Sequence, residues 1–350
     1  MAHVIGDTGL DEFDRHGHGH GHGHGHGHGL DLDLRDLDLP GTIRGWRLGD
    51  AVVAVAQDGE IVTAGVGADV EQHVEIGSIS KALTGMLYED ALERGEVTRA
   101  TTLGEALPAL VGSSAAGVSL DALATHRSGL PRLAAGTSPR RREWELARFG
   151  RNPYGESLPQ LLRQTVSTPV SATPRALYSN LGFALLGHAV AARAGTDYAG
   201  LLEARIAAPL GLASMHVAGV RGDLLPGTMV GTTRRGRRRE AWVGEGIAPA
   251  GGVRATVGDV ARLAAAILSG TAPGLAALEP RADLTGDVRI GSGWLTSPLG
   301  RTGRTVTWHN GGTGGFRSYL GLDRARGRAI VAVSPRAVAP DRPAVGWLAR

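Results

Sequence analysis

Ser78-Ile79-Ser80-Lys81 places the only lysine of the chain three residues after a serine. Apolar residues at Leu83, Met86, Leu87 and Leu92 predict a helix over residues 78–93, stopped near Gly95. Positions three apart share a helix face, so the ammonium would lie beside the hydroxyl. A lysine that can give up its proton makes a neighbouring serine a nucleophile. The helix N-terminus favours negative charge developing there. Lysine and arginine total 37, and all but Lys81 are arginine. Guanidinium stays protonated, whereas a buried ammonium can become an amine base. The plainer reading is a helix cap with a solvated lysine in a chain whose coding favours arginine, and a lone Ser-x-x-Lys does not decide between them.

Two further segments add chemistry. Tyr178-Ser179-Asn180 stands before the strongest predicted helix, with Leu181, Leu185 and Ala189 on one face and Gly195 as the stop. His309-Asn310-Gly311-Gly312-Thr313-Gly314-Gly315 stands at a predicted strand end, where glycine lets a backbone approach a bound molecule closely. Ser-x-x-Lys, Tyr-x-Asn and a basic residue-x-Gly, in that order, resemble the serine hydrolases related to class C β-lactamases and D-alanyl-D-alanine peptidases. The flanking text is similar too: Leu123-Ala-Thr-His126-Arg-Ser-Gly-Leu130, the Tyr178 to Gly187 stretch, and Pro249-Ala-Gly-Gly-Val-Arg-Ala-Thr-Val-Gly-Asp259. The resemblance spans residues 40–350.

The resemblance implies roles. Ser78 is the acylated nucleophile, Lys81 its base, and Tyr178 the relay of the proton to the leaving group and later the activator of water or acceptor. Asn180 hydrogen-bonds a substrate carbonyl. The backbone N–H groups of Ser78 and Gly312 form the oxyanion hole, and His309, Asn310 and Gly311 line the substrate. No metal or organic cofactor is implied, and the implied partner is a small-molecule ester or amide. The relatives carry Lys-Thr-Gly where this chain has His309-Asn310-Gly311. A largely neutral imidazole leaves no fixed cation there for a substrate carboxylate. The expected reaction is therefore ester or amide cleavage of the esterase or D-amino-acid peptidase type. The alternatives are acyl transfer to an amine or alcohol, β-lactam hydrolysis, or a catalytically silent sensor. The Pro-Gly that commonly precedes Tyr-x-Asn is replaced by Ser171-Ala-Thr-Pro174, which alters the pocket edge.

The elements that must hold these residues are legible in outline. The chain has 350 residues, 42% apolar and 20% charged, enough to bury a core. Zero cysteine excludes disulfides, thiolate catalysis and cysteine metal sites. No apolar run reaches the ~18–20 residues of a membrane span. No basic segment precedes an apolar one at the start, so a cytoplasmic location is the default expectation. A net charge of +3 implies no nucleic-acid partner. Gly-x-Ser-x-Gly, a Walker A loop and His-Glu-x-x-His are all absent.

Residues 1–40 read as a disordered tail. Seven histidines alternate with glycine from His16 to Gly29, with adventitious affinity for Ni or Zn, and residues 30–39 alternate Leu with Asp or Arg. Strands are predicted at 51–56 and 61–64 around an Asp58-Gly59 turn, and at 305–308, 317–322 and 329–333. Residues 100–215 read as mostly helical, and a helix opens near Asp259 and runs to Leu268. The expected fold is α+β, β-lactamase/transpeptidase-like. Residues 41–77 and 240–350 form an antiparallel sheet from both chain ends, flanked by helices, and residues 78–239 form a mostly helical insertion. The site falls at their interface, and the oligomeric state stays open. Among single residues, His126 reads as a loop brace, His188 as a packed core residue, Asp259 as a helix cap, and Arg234–Arg239 as a solvated hairpin tip.

Overall fold

A computed structural model describes residues 34–136, 138–172 and 175–350. Eight antiparallel strands form one sheet in the order β2-β1-β11-β10-β9-β8-β7-β6. These are β1 (Ala51–Gln57), β2 (Glu60–Val66), β6 (Ala282–Thr285), β7 (Val288–Ile290), β8 (Leu295–Pro298), β9 (Thr305–Gly312), β10 (Arg317–Asp323) and β11 (Arg328–Ser334). β1 from the start of the sheet region pairs with β11 from its end, Val52 opposite Val333 and Gln57 opposite Arg328. The expected closure of the sheet by both chain ends is present. A second sheet, β3 (Val74–Glu75), β5 (Val253–Ala255) and β4 (His216–Val217), has no counterpart among the sequence expectations. Strands of two or three residues carry too little alternation to register as a pattern.

The buried strands β1 and β11 are apolar on both faces because each face is covered. One side of the sheet meets α1 (Leu39–Gly45) and α10 (Asp341–Leu348), with Leu39, Ile43, Trp308, Tyr319, Trp347 and Leu348 in its core. The other side meets α9 (Val257–Leu268) and the helices that follow Ser78. The central helix α2 (Ile79–Glu93) buries every residue from Ile79 to Ala91. A helix enclosed all round has no polar stripe, so its propensity and packing, not amphipathicity, define it. Beside it run α3 (Leu103–Ala106), α4 (Leu120–Ala124), α5 (Pro139–Phe149), α6 (Leu158–Val166), α7 (Asn180–Arg193) and α8 (Tyr198–Leu202).

Two expectations change, and some elements are new. The tail does not extend to residue 40: Leu34 and Leu39 are buried, and α1 begins under an Asp38 cap that accepts from Gly41 N at 2.8 Å. The Leu/Asp alternation thus gives way to a short helix, because its leucines find the open face of β2 rather than a partner strand. Residues 1–33, with the His-Gly run, lie outside the described residues. Asp259 is not the N-cap of its helix; Thr256 is, and buried Asp259 instead accepts from Ser214 N at 2.7 Å and from Ser214 Oγ at 2.5 Å. Finally, α10 and the β6–β8 meander were unforeseen, their runs being too short and too polar to stand out.

Candidate active site

Ser78 stands at the N-cap position of α2, with φ −66° and ψ −5° and no side-chain bond to the helix amides. The residue before it makes this possible. Gly77 has φ +55°, and a Cβ there would lie 2.8 Å from Gly312 N and 3.2 Å from Gly311 Cα. A side chain is excluded both by conformation and by space. Gly311 is enclosed in the same way, since a Cβ would overlap Ile76 O and Ser318 Oγ. Ser318 Oγ donates to Ile76 O at 2.7 Å, tying β10 to the segment leading into Ser78. The Ser78 turn is therefore pressed directly onto the Gly311-Gly312 edge of β9, which brings the two amides of the expected oxyanion hole to one place.

Lys81 is fully buried and donates to Ser78 Oγ at 3.0 Å and to Ala250 O at 2.5 Å. Burial, with Arg132 as a second and smaller cause, holds its pKa well below the usual lysine value. The Ala250 carbonyl belongs to the Pro249-Ala-Gly-Gly block, whose approach to the helices is exact enough that a Cβ on Gly187 would overlap Pro249. Thr84 Oγ1 donates to Pro249 O at 2.7 Å and fixes the same turn against α2. Sequence reading recognised the block without assigning it a task. A backbone acceptor leaves no side-chain signature.

Tyr178 lies beside this pair. The Lys81 Nζ sits 4.8 Å from its ring centroid, and its hydroxyl is buried. Burial raises the phenol pKa, with the Ser78 hydroxyl opposing that shift in part. His126 is the brace expected of it. Its ring packs on Tyr178 at 4.5 Å and on Phe183 at 4.7 Å, its Nδ1 accepts from Ser179 N at 3.2 Å, and its carbonyl accepts from Leu177 N at 2.9 Å. Its φ of +57° is a conformation histidine tolerates better than most residues. Burial first, then Lys81 and His309, keeps the imidazole deprotonated. Ser179 caps α7 by accepting from Gly182 N at 2.9 Å, so Asn180 opens that helix at the site. Asn180 Nδ2 faces Tyr154 OH at 3.5 Å, and its buried Oδ1 has no partner among the described residues. Tyr154, which packs edge-on to Trp242 at 4.8 Å, is a wall residue that the sequence did not single out.

His309 and Asn310 alternate across β9 and so face opposite ways. His309 is buried on the Lys81 side, and its Nδ1 contacts Asn310 O at 2.6 Å; a carbonyl can only accept, so Nδ1 carries the proton and Nε2 is left an acceptor with no partner among the described residues. Burial, with Lys81 second, lowers its pKa to about 3. Asn310 does not line the substrate as expected: its Nδ2 donates to Asp341 Oδ1 at 2.7 Å, on α10 behind the sheet. Fixed charge enters from another element. The Arg132 guanidinium lies 5.6 Å from the Tyr178 ring centroid, so the site does hold a fixed cation, delivered by the loop after Leu130 rather than by β9. Among the described residues no group of three or more His, Cys, Asp or Glu could hold a metal ion, and no helix is long and apolar enough to cross a membrane.

The site predicts a pH profile. Activity that needs the Lys81 amine rises with pH through the depressed pKa of that group. His309, with a pKa of about 3, contributes no inflection between about pH 5 and 9. We expect His309→Asn to alter the level of kcat/KM while leaving the apparent pKa of the acid limb in place. Movement of that limb by a full unit would make His309 the titrating group. Stability follows the same sign: the unfolded chain binds the Lys81 proton more tightly than the native one, so stability rises with pH between the depressed and ordinary lysine values.

The backbone is similar to that of known enzymes. A class C beta-lactamase from Rhodobacter sphaeroides matches with a TM-score of 0.71 and 20% identity over 89% of this chain and 96% of that one. A beta-lactamase from Sulfitobacter matches at 0.71 and 22%, over 88% and 93%. A D-alanine carboxypeptidase from Burkholderia cenocepacia matches at 0.70 and 22%, over 89% and 96%. At such identity the likeness shows the β-lactamase/transpeptidase-like fold. The family itself is shown by the sequence of residues 41–350, which matches the one described as Beta-lactamase. With its Ser-x-x-Lys pair closed by a hydrogen bond at the head of the central helix, this chain belongs to the Beta-lactamase family of serine hydrolases.

Proposed function

We propose that this protein cleaves an ester or amide of a small molecule through an acyl-enzyme on Ser78. The observation that carries the reading is the contact of Ser78 Oγ with a fully buried lysine whose pKa is depressed. The neutral Lys81 amine takes the hydroxyl proton as Oγ attacks the carbonyl carbon. The N–H groups of Ser78 and Gly312 hold the developing oxyanion, each such donor contributing about 3–4 kcal/mol in the transition state. As the tetrahedral intermediate collapses, the carbon–oxygen or carbon–nitrogen bond breaks, and the Tyr178 hydroxyl hands a proton to the leaving group while recovering one from Lys81. Water, deprotonated through the same pair, then releases the acid and restores Ser78. Asn180 Nδ2 donates to a substrate carbonyl. A fluorophosphonate tests the reading directly. Its adduct is expected on Ser78 by peptide mass spectrometry and absent in Ser78→Ala; an unlabelled wild type would make the pocket a silent sensor.

Substrate choice follows from which groups are charged. His309 is neutral, and Arg132 supplies the cation beside Tyr178. A guanidinium at the edge of a partly dry pocket attracts a carboxylate by a few kcal/mol at most. We expect Arg132→Gln to lower kcat/KM for a carboxylate-bearing substrate, a penicillin included, by about tenfold relative to its neutral ester analogue. An unchanged ratio would place the acyl group away from Arg132. This keeps β-lactam hydrolysis as the second reading, favoured by the presence of that cation.

A further inference from the structure

The helix α5 carries Trp144 and Phe149, 58% and 51% exposed, with their rings in edge contact at 5.1 Å. Exposed aromatic side chains of this size are unusual on a surface that meets only water. Both guanidinium groups flanking Phe149 lie over its ring, Arg148 at 5.4 Å and Arg151 at 5.3 Å. The arginine-rich turn around Gly236 reaches the same place. Glu240 N donates to Gly150 O at 2.8 Å, Arg239 N donates to Gly231 O at 2.9 Å, and the Arg239 guanidinium binds the carbonyl of Leu146 at the end of α5. Arg239 is thus a helix cap, while Arg234, Arg235, Arg237 and Arg238 remain exposed. Neither these four nor Arg148 and Arg151 enter an ion pair among the described residues. Six unpaired arginines in one patch contrast with a net charge of only +3 for the whole chain.

We propose that this face docks onto an anionic lipid bilayer, with Trp144 and Phe149 seated at the headgroup boundary and the arginines on lipid phosphates. The cationic rim complements an anionic leaflet. The paired aromatics supply what a purely electrostatic polyanion site does not need, an apolar anchor of interfacial type. The same helix sends Leu146 toward Gly314, whose Cβ would lie 3.0 Å from Leu146 Cδ1. Docking therefore takes place beside the Gly312 edge of the site, and the inference stands whether or not Ser78 is acylated.

The test is sedimentation of the full-length chain with vesicles of equal parts phosphatidylglycerol and phosphatidylcholine, against phosphatidylcholine alone. The buffer is held at about pH 8, above the ordinary imidazole range. Binding is expected to the mixed vesicles only, and to weaken as salt is raised. Replacing Arg234, Arg235, Arg237 and Arg238 by Gln is expected to reduce it by about 100-fold or more. Trp144→Ala with Phe149→Ala is expected to reduce it by about tenfold, with turnover of a soluble ester retained in both variants. No binding of the wild type to mixed vesicles overturns the proposal without reference to any variant. Binding that the aromatic variant retains in full, matched by equal affinity for a single-stranded oligonucleotide, would replace it with a general polyanion patch.

Discussion

Lys81→Arg is expected to lower the rate of Ser78 acylation by at least about 10³-fold while leaving the protein folded. General-base assistance is typically worth 10² to 10⁴ in rate, and arginine cannot supply it because its guanidinium does not release a proton at working pH. Arginine keeps a cationic side chain at this position, so a role confined to electrostatic attraction would survive the substitution. The surroundings sharpen the effect. Lys81 is fully buried, and its head is shared between Ser78 Oγ and Ala250 O. A planar fork cannot reproduce both contacts in a space built for a single nitrogen. Pre-steady-state acylation by a chromogenic ester measures the loss, with thermal unfolding as the control for fold. Retention of more than about a few per cent of the wild-type rate would reduce Lys81 to a charged neighbour.

Gly311→Ala is expected to cost about 100-fold or more in kcat/KM, together with a measurable drop in Tm. The added methyl meets Ile76 O and Ser318 Oγ, one of them backbone, so the edge of β9 must move away from the turn that holds Ser78. Removing even one oxyanion donor costs roughly 10² to 10³ in rate, and this displacement separates the Ser78 and Gly312 amides. Gly346→Ala is the control. It lies in α10 with nothing within 4 Å of a built Cβ, and its substitution should leave turnover unchanged. Equal activity in both variants would show that the β9 edge takes no part in binding the oxyanion.

The residues proposed to carry acylation were legible because their chemistry leaves local marks. A single lysine three residues after a serine needs only helical spacing to meet it, and the observed Nζ to Oγ distance is 3.0 Å. The strands β1, β2, β9, β10 and β11 and the helix α7 were visible as well, because a residue period survives wherever a segment is long enough to repeat it. The neutrality of His309 was also foreseeable from residue type, though its burial deepens it to a pKa of about 3.

Other features depend on contacts between distant parts of the chain. Asn310 belongs to the motif in sequence, yet pleating turns it to Asp341 across the sheet, and nothing in the motif reveals which of two alternating positions faces the pocket. Ala250 acts through its carbonyl, and any residue type offers one. Leu34 and Leu39 gain their place from the uncovered face of β2. Arg132 shows the same limit for charge: one arginine among many in sequence, it becomes the cation of the site because the loop after Leu130 carries it over Tyr178. The sequence by itself determined the candidate reacting groups and the longer elements of secondary structure that hold them, since both rest on neighbours within a few residues. Only the tertiary structure decided which backbone atoms complete the site, which side of β9 faces it and where its fixed charge stands, because each of those is set by packing across long sequence separations.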